Sequence, residues 1–488
     1  MVQEVVSRLV DNEVISPDIL VVESGDGITH PQQYSIDAIL LISNDGKAFD
    51  LKPSLIELNI HEDLFAPAIS GYIMIVDGSG FLETLNITGF NFIQISFGKV
   101  NPNDDPAPYT KTFRVYKIGE RYQVSRQKEQ YPIYFCSEEV LLNEQIKITK
   151  SFPNSTIDLN IINILTNGDG NTPPQGLQVD SGKIGIIEQA KGSYNFIVPN
   201  LKPFEAINWL CTYAQPAVSD NPSADMIFYE NRNGFNFRSL QSIMSDKVYA
   251  SYNYSPQSTS ITQNSINYNI TSILSYKFIR TFDSLKMTSS GAYANKLVTI
   301  DPLLRTSKSI VFNYDSNFSN SGSLNNQKIT SDYKNRFGQK VSEATESVFK
   351  FAVGNADERT SDTILNVLND SVGGDISSIT YDIGIETYVP YRTAQLAILN
   401  HTKVEVLVPG DPALTVGSIV LLNLPSMSTD SAKEASLDSY YSAKYMVTAV
   451  RHKMDVTGTY QSVFEAVTDS VPQAYVTSGG PINQVNIL

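Results

Sequence analysis

The sequence predicts an α+β protein, mainly β, in which two strand-rich units of barrel or sandwich type flank a helix-and-hairpin middle. Three observations predict it. Residues 34–150, and again 401–470, alternate apolar and polar side chains at the period of two that half-buried strands require. Tyr and Phe, 26 and 22 of them, stand among many Ser, Thr and Asn, a composition that favours strands and polar turns over long helices. Between the two units, residues 200–240 read as one helix and then a tight aromatic hairpin.

At 488 residues the chain exceeds a single ordinary core, and roughly three or four domains are expected. Hydrophobic residues at 41% and charged residues at 18% describe a globular protein. The net charge of −15 argues against nucleic-acid binding through a basic face. An acidic wall around a channel is a different case, because repulsion keeps the polymer from sticking. No apolar run approaches the ~20 residues of a membrane span. The N-terminus carries acidic residues and lacks the apolar centre of a signal peptide, so secretion by that route is not expected. Cys136 and Cys211 sit in apolar surroundings and read as buried reduced thiols, which fits assembly in a reducing cytoplasm.

In chain order, residues 1–33 form an arm, with Val5, Leu9 and Val10 spaced for a short amphipathic helix. Residues 34–150 give the first β unit. Its signals are a hairpin at Asn44-Asp45-Gly46, Ile56, Leu58 and Ile60 on one face of a strand, and Ile93, Ile95 and Phe97 on one face of another. A short helix over 138–148 leads out. Residues 151–240 form the helix-plus-hairpin connector. Its first helix, capped by Asn154 or Ser155, turns Ile157, Ile161, Ile164 and Leu165 to one side. Its second places Phe204, Ile207, Cys211 and Ala214 on one face, starts at Pro203 and stops at Pro216. Runs at 226–230 and 235–240, the latter with Phe235 and Phe237, are joined by a turn in which Asn233-Gly234 supplies left-handed geometry.

Residues 241–315 together with 401–470 form the second β unit, in which Val404, Val406 and Val408 share a face and Gly417 sits in a turn. Residues 316–400 are an inserted polar and helical domain, with helical spacing at 342–353, 360–368 and 388–400. Residues 471–488 are a tail.

No catalytic constellation emerges. The four histidines lack metal-ligand spacing, and the nucleotide-binding, zinc-protease and serine-hydrolase motifs are absent. The Asn167-Gly-Asp-Gly-Asn171 run lacks a calcium loop's alternating carboxylates and reads as a turn. The carboxylate neighbours Glu62/Asp63, Asp104/Asp105 and Glu138/Glu139 read as solvated faces, since adjacent strand residues point opposite ways. Arg232 and Arg238 beside the hairpin read as ion-pair or interface residues. No cofactor, metal site or catalytic residue is expected. The residues singled out are structural: Phe204, Ile207, Trp209, Cys211, Phe235 and Phe237 in the connector.

Four stretches in this order carry a resemblance: YFCSEEVLLNEQIKITKSFPNSTIDLNIINIL at 134–165, PFEAINWLCTYA with MIFYENRNGFNFRSL within 203–240, SGAYANKLVTIDPLL at 290–304, and LTVGSIVLLNLPS with KYMVTAVRH within 414–452. Together they resemble the central baseplate hub protein of contractile-tailed phages, which is related to the VgrG spike of type VI secretion. The resemblance covers about 34–470. It implies that the two β units are tail-tube-like barrels and that the protein is a structural, non-enzymatic homotrimer. Six such units per ring would adapt a six-fold tail tube to a three-fold spike. The implied partners are the tail tube protein, a separate spike protein and other baseplate proteins of wedge or tape-measure type, with DNA passing without specific binding. The implied location is the virion, after assembly in the host cytoplasm. It places strands 53–63, 69–77 and 404–422 near the ring, with an acidic lumen. The alternatives left open are a tail-associated cell-wall hydrolase and a β-rich receptor-binding adhesin.

Overall fold

The computed structural model describes the chain between residues 34 and 473, except for 44–45, 83–86, 88, 100–107, 168–169, 171–173, 218–224, 255–270, 302–304, 319–321, 331–333, 345–348, 354–384, 427–436 and 457. The N-terminal arm, Asp104/Asp105, the helix expected at 360–368 and most of the tail lie outside the described residues.

The first β unit contains β1 (Tyr34–Ile42), β2 (Ala48–Asp50), β3 (Leu55–Asp63), β4 (Ser70–Asp77), β5 (Phe92–Lys99), β6 (Tyr109–Ile118), β7 (Tyr122–Ser125) and β8 (Lys128–Cys136). Period-two alternation turns Ile93, Ile95 and Phe97 into a common core with Ile73, Ile133 and Phe135. On β3 a register shift between Leu55 and Glu57 alters the expected face. Leu55, Leu58 and Ile60 face the core and Ile56 is only half-buried, because a bulge adds one residue and flips what precedes it. The same alternation carries Glu62 inward, so the solvated reading of that residue is wrong: it is 1% exposed. Glu139 is likewise buried, paired to Lys183 at 2.7 Å.

The connector holds a helix at Glu138–Gln145, β9 (Ile148–Ser155), a helix at Ile157–Thr166, β10 (Ile184–Ile187), β11 (Tyr194–Leu201), a helix at Pro203–Cys211, β12 (Met226–Asn231) and β13 (Gly234–Ser239). Thr156, rather than Asn154 or Ser155, occupies the N-cap of the second of these helices. The third has Pro203 in its first turn, as expected, but ends at Cys211, well before Pro216. Pro216 instead bridges to Ala190. In the hairpin, Asn231 pairs with Gly234, which leaves Arg232 and Asn233 as the turn. Only Gly234 takes positive φ, at 123°, and a Cβ there would lie 2.2 Å from the Lys183 carbonyl oxygen.

A helix at Leu240–Met244 leads to β14 (Val248–Tyr254), β15 (Ser272–Ile273), β16 (Ser275–Arg280), a helix at Ser284–Ser289, β17 (Ala294–Asp301), β18 (Thr306–Asn313) and β19 (Phe349–Val353). Within the helical spacing read at 342–353, Val341–Glu343 makes one 3-10 turn, 345–348 lie outside the described residues, and Phe349–Val353 is a strand, because β19 finds a parallel partner in β17. The β17–β18–β19 sheet is separate and packs against the helix Ile385–Ile398. Then come β20 (Thr402–Pro409), β21 (Ile419–Asn423), β22 (Lys444–Asp455) and β23 (Tyr460–Thr468). Val404, Val406 and Val408 are fully buried, and Gly417 turns with φ of 84°.

The protein is mainly β, as the sequence predicts. Among the described residues the strand pairings form no closed barrel. The two β units instead share one 15-stranded sheet, joined where β22 runs antiparallel to β3 from Ala449↔Asp63 to Asp455↔Glu57. This seam has a consequence for the strands placed near the ring. β3 and β4 have neighbours on both sides, as do β20 and β21, so their backbone edges are already satisfied within the chain.

Candidate functional site

The seam and the connector hairpin meet at one joint. β12 is buried along its whole length, and its alternate residues enter two different cores. Met226 and Phe228 pack into the connector core, while Ile227 and Tyr229 pack into the core of the second β unit. A strand covered on both faces can be apolar throughout, which is why MIFY shows no alternation. Phe235 and Phe237 of β13 return to the connector core, and Leu240 and Ile243 just beyond them enter the second unit.

The six connector residues fall as follows. Phe204, Ile207, Cys211, Phe235 and Phe237 are all 5% exposed or less and share one core. Phe235 stacks on Phe228 with ring centroids 5.8 Å apart, and Phe204 lies 6.1 Å from Phe235. The Cys211 thiol is free, and burial pushes it up to about 12, so it is an inert packing group. Trp209 is half-buried, edge-on to Phe196 and Tyr213, each at 5.5 Å. Trp209→Ala is expected to cost about 2–3 kcal/mol in a denaturation curve, below a full aromatic core deletion because part of the ring stays wet. An unchanged curve with failed assembly would make Trp209 an interface residue instead.

Charged groups lock the joint; the sequence reading gave Arg232 and Arg238 an ion-pair or interface role but missed Glu230 and Lys111. Glu230, at the end of β12, is 5% exposed. Its carboxylate accepts from Lys111 Nζ at 2.7 Å, from the Ile69 amide at 2.9 Å and from the Ser137 hydroxyl. Lys111 also donates to the Asn231 carbonyl at 2.8 Å. Arg232 reaches from the hairpin turn to the Pro412 carbonyl at 2.8 Å and the Pro108 carbonyl at 3.1 Å, one on each β unit. Arg238 forms a two-pronged pair with Asp246 at 2.8 and 3.0 Å.

On the seam itself Glu62 accepts from the Thr415 hydroxyl and, at 3.4 Å, from the Val416 amide. Its other oxygen, Oε1, is buried without a hydrogen-bond partner. Burial drives this carboxyl up to about 7, against the lowering effect of the Thr415 bond and of Lys111. Beside it Tyr109 stacks on Phe97 at 5.0 Å, and Tyr460 Oη lies 2.9 Å from His452 Nδ1. Burial lowers His452 to about 4, so it sits neutral. The one sequence signal that reaches Glu62 is its place two residues beyond Leu58 and Ile60 on the same face. For Glu230 it is a lone acid directly after the apolar run Met226–Tyr229.

Among the described residues no three His, Cys, Asp or Glu side chains converge as a metal site. No helix among the described residues is long and apolar enough to cross a membrane. What the joint does is mechanical: it fixes the two β units and the connector to each other through buried ion pairs and a two-sided strand.

No family model matches the chain. Over 202 residues it is 27% identical to the probable baseplate hub protein gp334 of Vibrio phage KVP40, a match covering 41% of this chain and 44% of that protein. The match therefore spans less than half of that relative. Among solved structures, the chain is similar to the tail protein of Neisseria meningitidis MC58 at 10% identity and TM-score 0.47, covering 91% of this chain and 100% of that one. It is also similar to the 43 kDa tail protein of prophage MuSo2 from Shewanella oneidensis at 10% identity and TM-score 0.49, covering 89% and 99%. The sequence relative and the four residue stretches agree: this chain is similar to phage baseplate hub proteins.

Proposed function

We propose that the chain is a structural baseplate hub protein of a phage tail, without enzymatic activity. Three copies close a ring of six β units that matches a six-fold tail tube on one side and a three-fold spike on the other. DNA passes through its channel, past a lumen in which Asp and Glu outnumber Lys and Arg. The connector residues Phe204, Ile207, Trp209, Cys211, Phe235 and Phe237 hold the two units of one subunit at a fixed angle. The observation that carries this reading is the seam. Two β units pinned side by side by β22–β3 pairing form a rigid two-unit building block, which a pseudo-six-fold ring requires.

Sedimentation of the purified chain, with end-on electron micrographs, tests the reading. The expected result is a trimer seen as a three-fold ring with six lobes. A stable monomer with no affinity for a tail tube protein would overturn it, and clearing of a peptidoglycan gel would overturn the non-enzymatic part.

A further inference from the structure

The large sheet has two ends, and they differ in chemistry. At one end lie β1 and β2, and Tyr34, the first residue of β1, is where the N-terminal arm joins the described chain. At the other lies β16, which among the described residues pairs with β20 alone. The backbone groups along its far side are therefore a strand edge able to take a further strand.

This second edge is apolar and basic. Ile279 on β16 is 45% exposed, and Phe282 and Leu285, in the turn and helix that follow, are 70% and 86% exposed. Lys277 and Lys286 are exposed beside them. With Arg280 they give residues 274–286 three cations against one acid, Asp283, a charge of +2 in a chain of −15. Asp283 is engaged in capping the Lys286 amide at 2.9 Å, and Glu405 lies across from Lys277 on β20. Two such edges brought together would set cations against cations. A strand of apolar side chains bounded by acids suits this edge better.

The arm carries that sequence. Residues 18–24, Asp-Ile-Leu-Val-Val-Glu-Ser, are apolar and mostly β-branched between two acids, hold no cation, and are bounded by Pro17 and Gly25. Residues 1–33 as a whole have six acids and one arginine, a charge of −5. Reach decides which copy the run can meet. Ten residue steps join Ser24 to Tyr34 and span at most ~35 Å. From β1 to β16 of the same subunit there are nine strand pairings, ~43 Å along the sheet at the usual spacing. The run falls short of its own β16. In a ring of two-unit blocks joined head to tail, the β1 end of one copy meets the β16 end of the next.

We propose that residues 18–24 of one copy add as a strand to β16 of the next copy, so that exchanged arms tie the subunits together. This rests on the ring reading above and names a contact between neighbours.

The test uses the full chain in sedimentation velocity. Asp18→Lys with Glu23→Lys sets like charges against the edge and is expected to weaken self-association by about tenfold or more. Thermal unfolding should be unchanged, because both positions precede the described fold. Lys277→Glu with Lys286→Glu is expected to weaken it likewise, and the four changes in one chain to restore it. If the Lys277/Lys286 variant fails to fold, the arm variant decides alone. A chain carrying Leu20→Cys and Ile279→Cys is expected, on oxidation, to run as covalent dimers and trimers on a denaturing gel, since each bond crosses between copies. The native Cys136 and Cys211 are buried and stay out of that reaction. Oxidised chains that run as monomers with the bond closed internally would overturn the exchange. Trimers that persist unchanged in the Asp18/Glu23 variant would overturn the arm contact and leave the ring reading standing. A wild-type chain that stays monomeric would overturn both.

Discussion

Replacing Glu230 by alanine is expected to lower stability by about 3–5 kcal/mol, the range for removing one member of a buried ion pair. The carboxylate is the shared acceptor of three donors from three separate segments: Ile69 after β3, Lys111 on β6 and Ser137 after β8. Its loss strands the Lys111 ammonium, only 17% exposed at the side chain, and orphans a buried amide. Glu230→Gln retains an acceptor for Ile69 and Ser137 and should fall well short of that cost. Glu230→Leu with Lys111→Met removes both charges and should recover most of the loss, which identifies a stranded charge as the cause. Urea unfolding of wild type and these three variants measures this. In a chain with several cores the transition is expected to split, the connector separating from the first β unit before either melts. A single unshifted transition in Glu230→Ala would show that the joint does not depend on this carboxylate.

The strands of this fold were legible because one-sided burial writes itself as alternation. Val404, Val406 and Val408, or Ile93, Ile95 and Phe97, could be assigned to a face from spacing alone, and all are fully buried. Three kinds of feature were not legible. Bulges were one: the extra residue between Leu55 and Glu57 leaves no mark in composition, yet it exchanges Leu55 for Ile56 in the core. Long-range partners were another. Phe349–Val353 alone is compatible with helical spacing, and only its pairing with β17, some fifty residues away, makes it a strand. The third was the buried polar joint. Glu62 and Thr415 are 353 positions apart, and a glutamate beside Asp63 looks like surface until β22 is laid against β3. The aromatic hairpin could be found, and so could the packing of Phe204 and Phe235. That β12 divides its residues between two cores could not, because a strand buried on both faces has lost the periodicity that would show where each side chain goes.

Glu62 is expected to make the seam weaken as the solution turns alkaline. Its carboxyl titrates near 4.5 in the unfolded chain and is raised to about 7 by burial in the folded one. A raised folded value means the native state holds the proton more tightly, so the stabilisation is fully present below pH 4.5 and is lost as pH rises through 7. The span corresponds to on the order of 3 kcal/mol. The groups facing it act in both directions. Thr415, the Val416 amide and Lys111 favour the carboxylate, Glu230 opposes it, and Tyr109, Tyr229 and Tyr460 stay neutral across this range. Three histidines work from the acid side: His61, lowered by burial and by Arg451, and His401 and His452, lowered by burial to about 4, contribute stability above pH 6.5 that is lost as pH falls through their folded values. The wild-type profile is therefore a sum, and the difference between wild type and Glu62→Gln isolates the seam. The glutamine keeps an acceptor for Thr415 and cannot ionise. The variant should match wild type below about pH 4.5 and exceed it in melting temperature by pH 8, with the two curves separating most steeply between pH 4.5 and 7. Parallel curves over that whole range would mean that Glu62 is charged in the native seam at every pH tested, with Lys111 close enough to carry it. The coupling of the two β units would then rest on an ion pair, and Lys111→Met in place of Glu62→Gln would be the change that opens the seam.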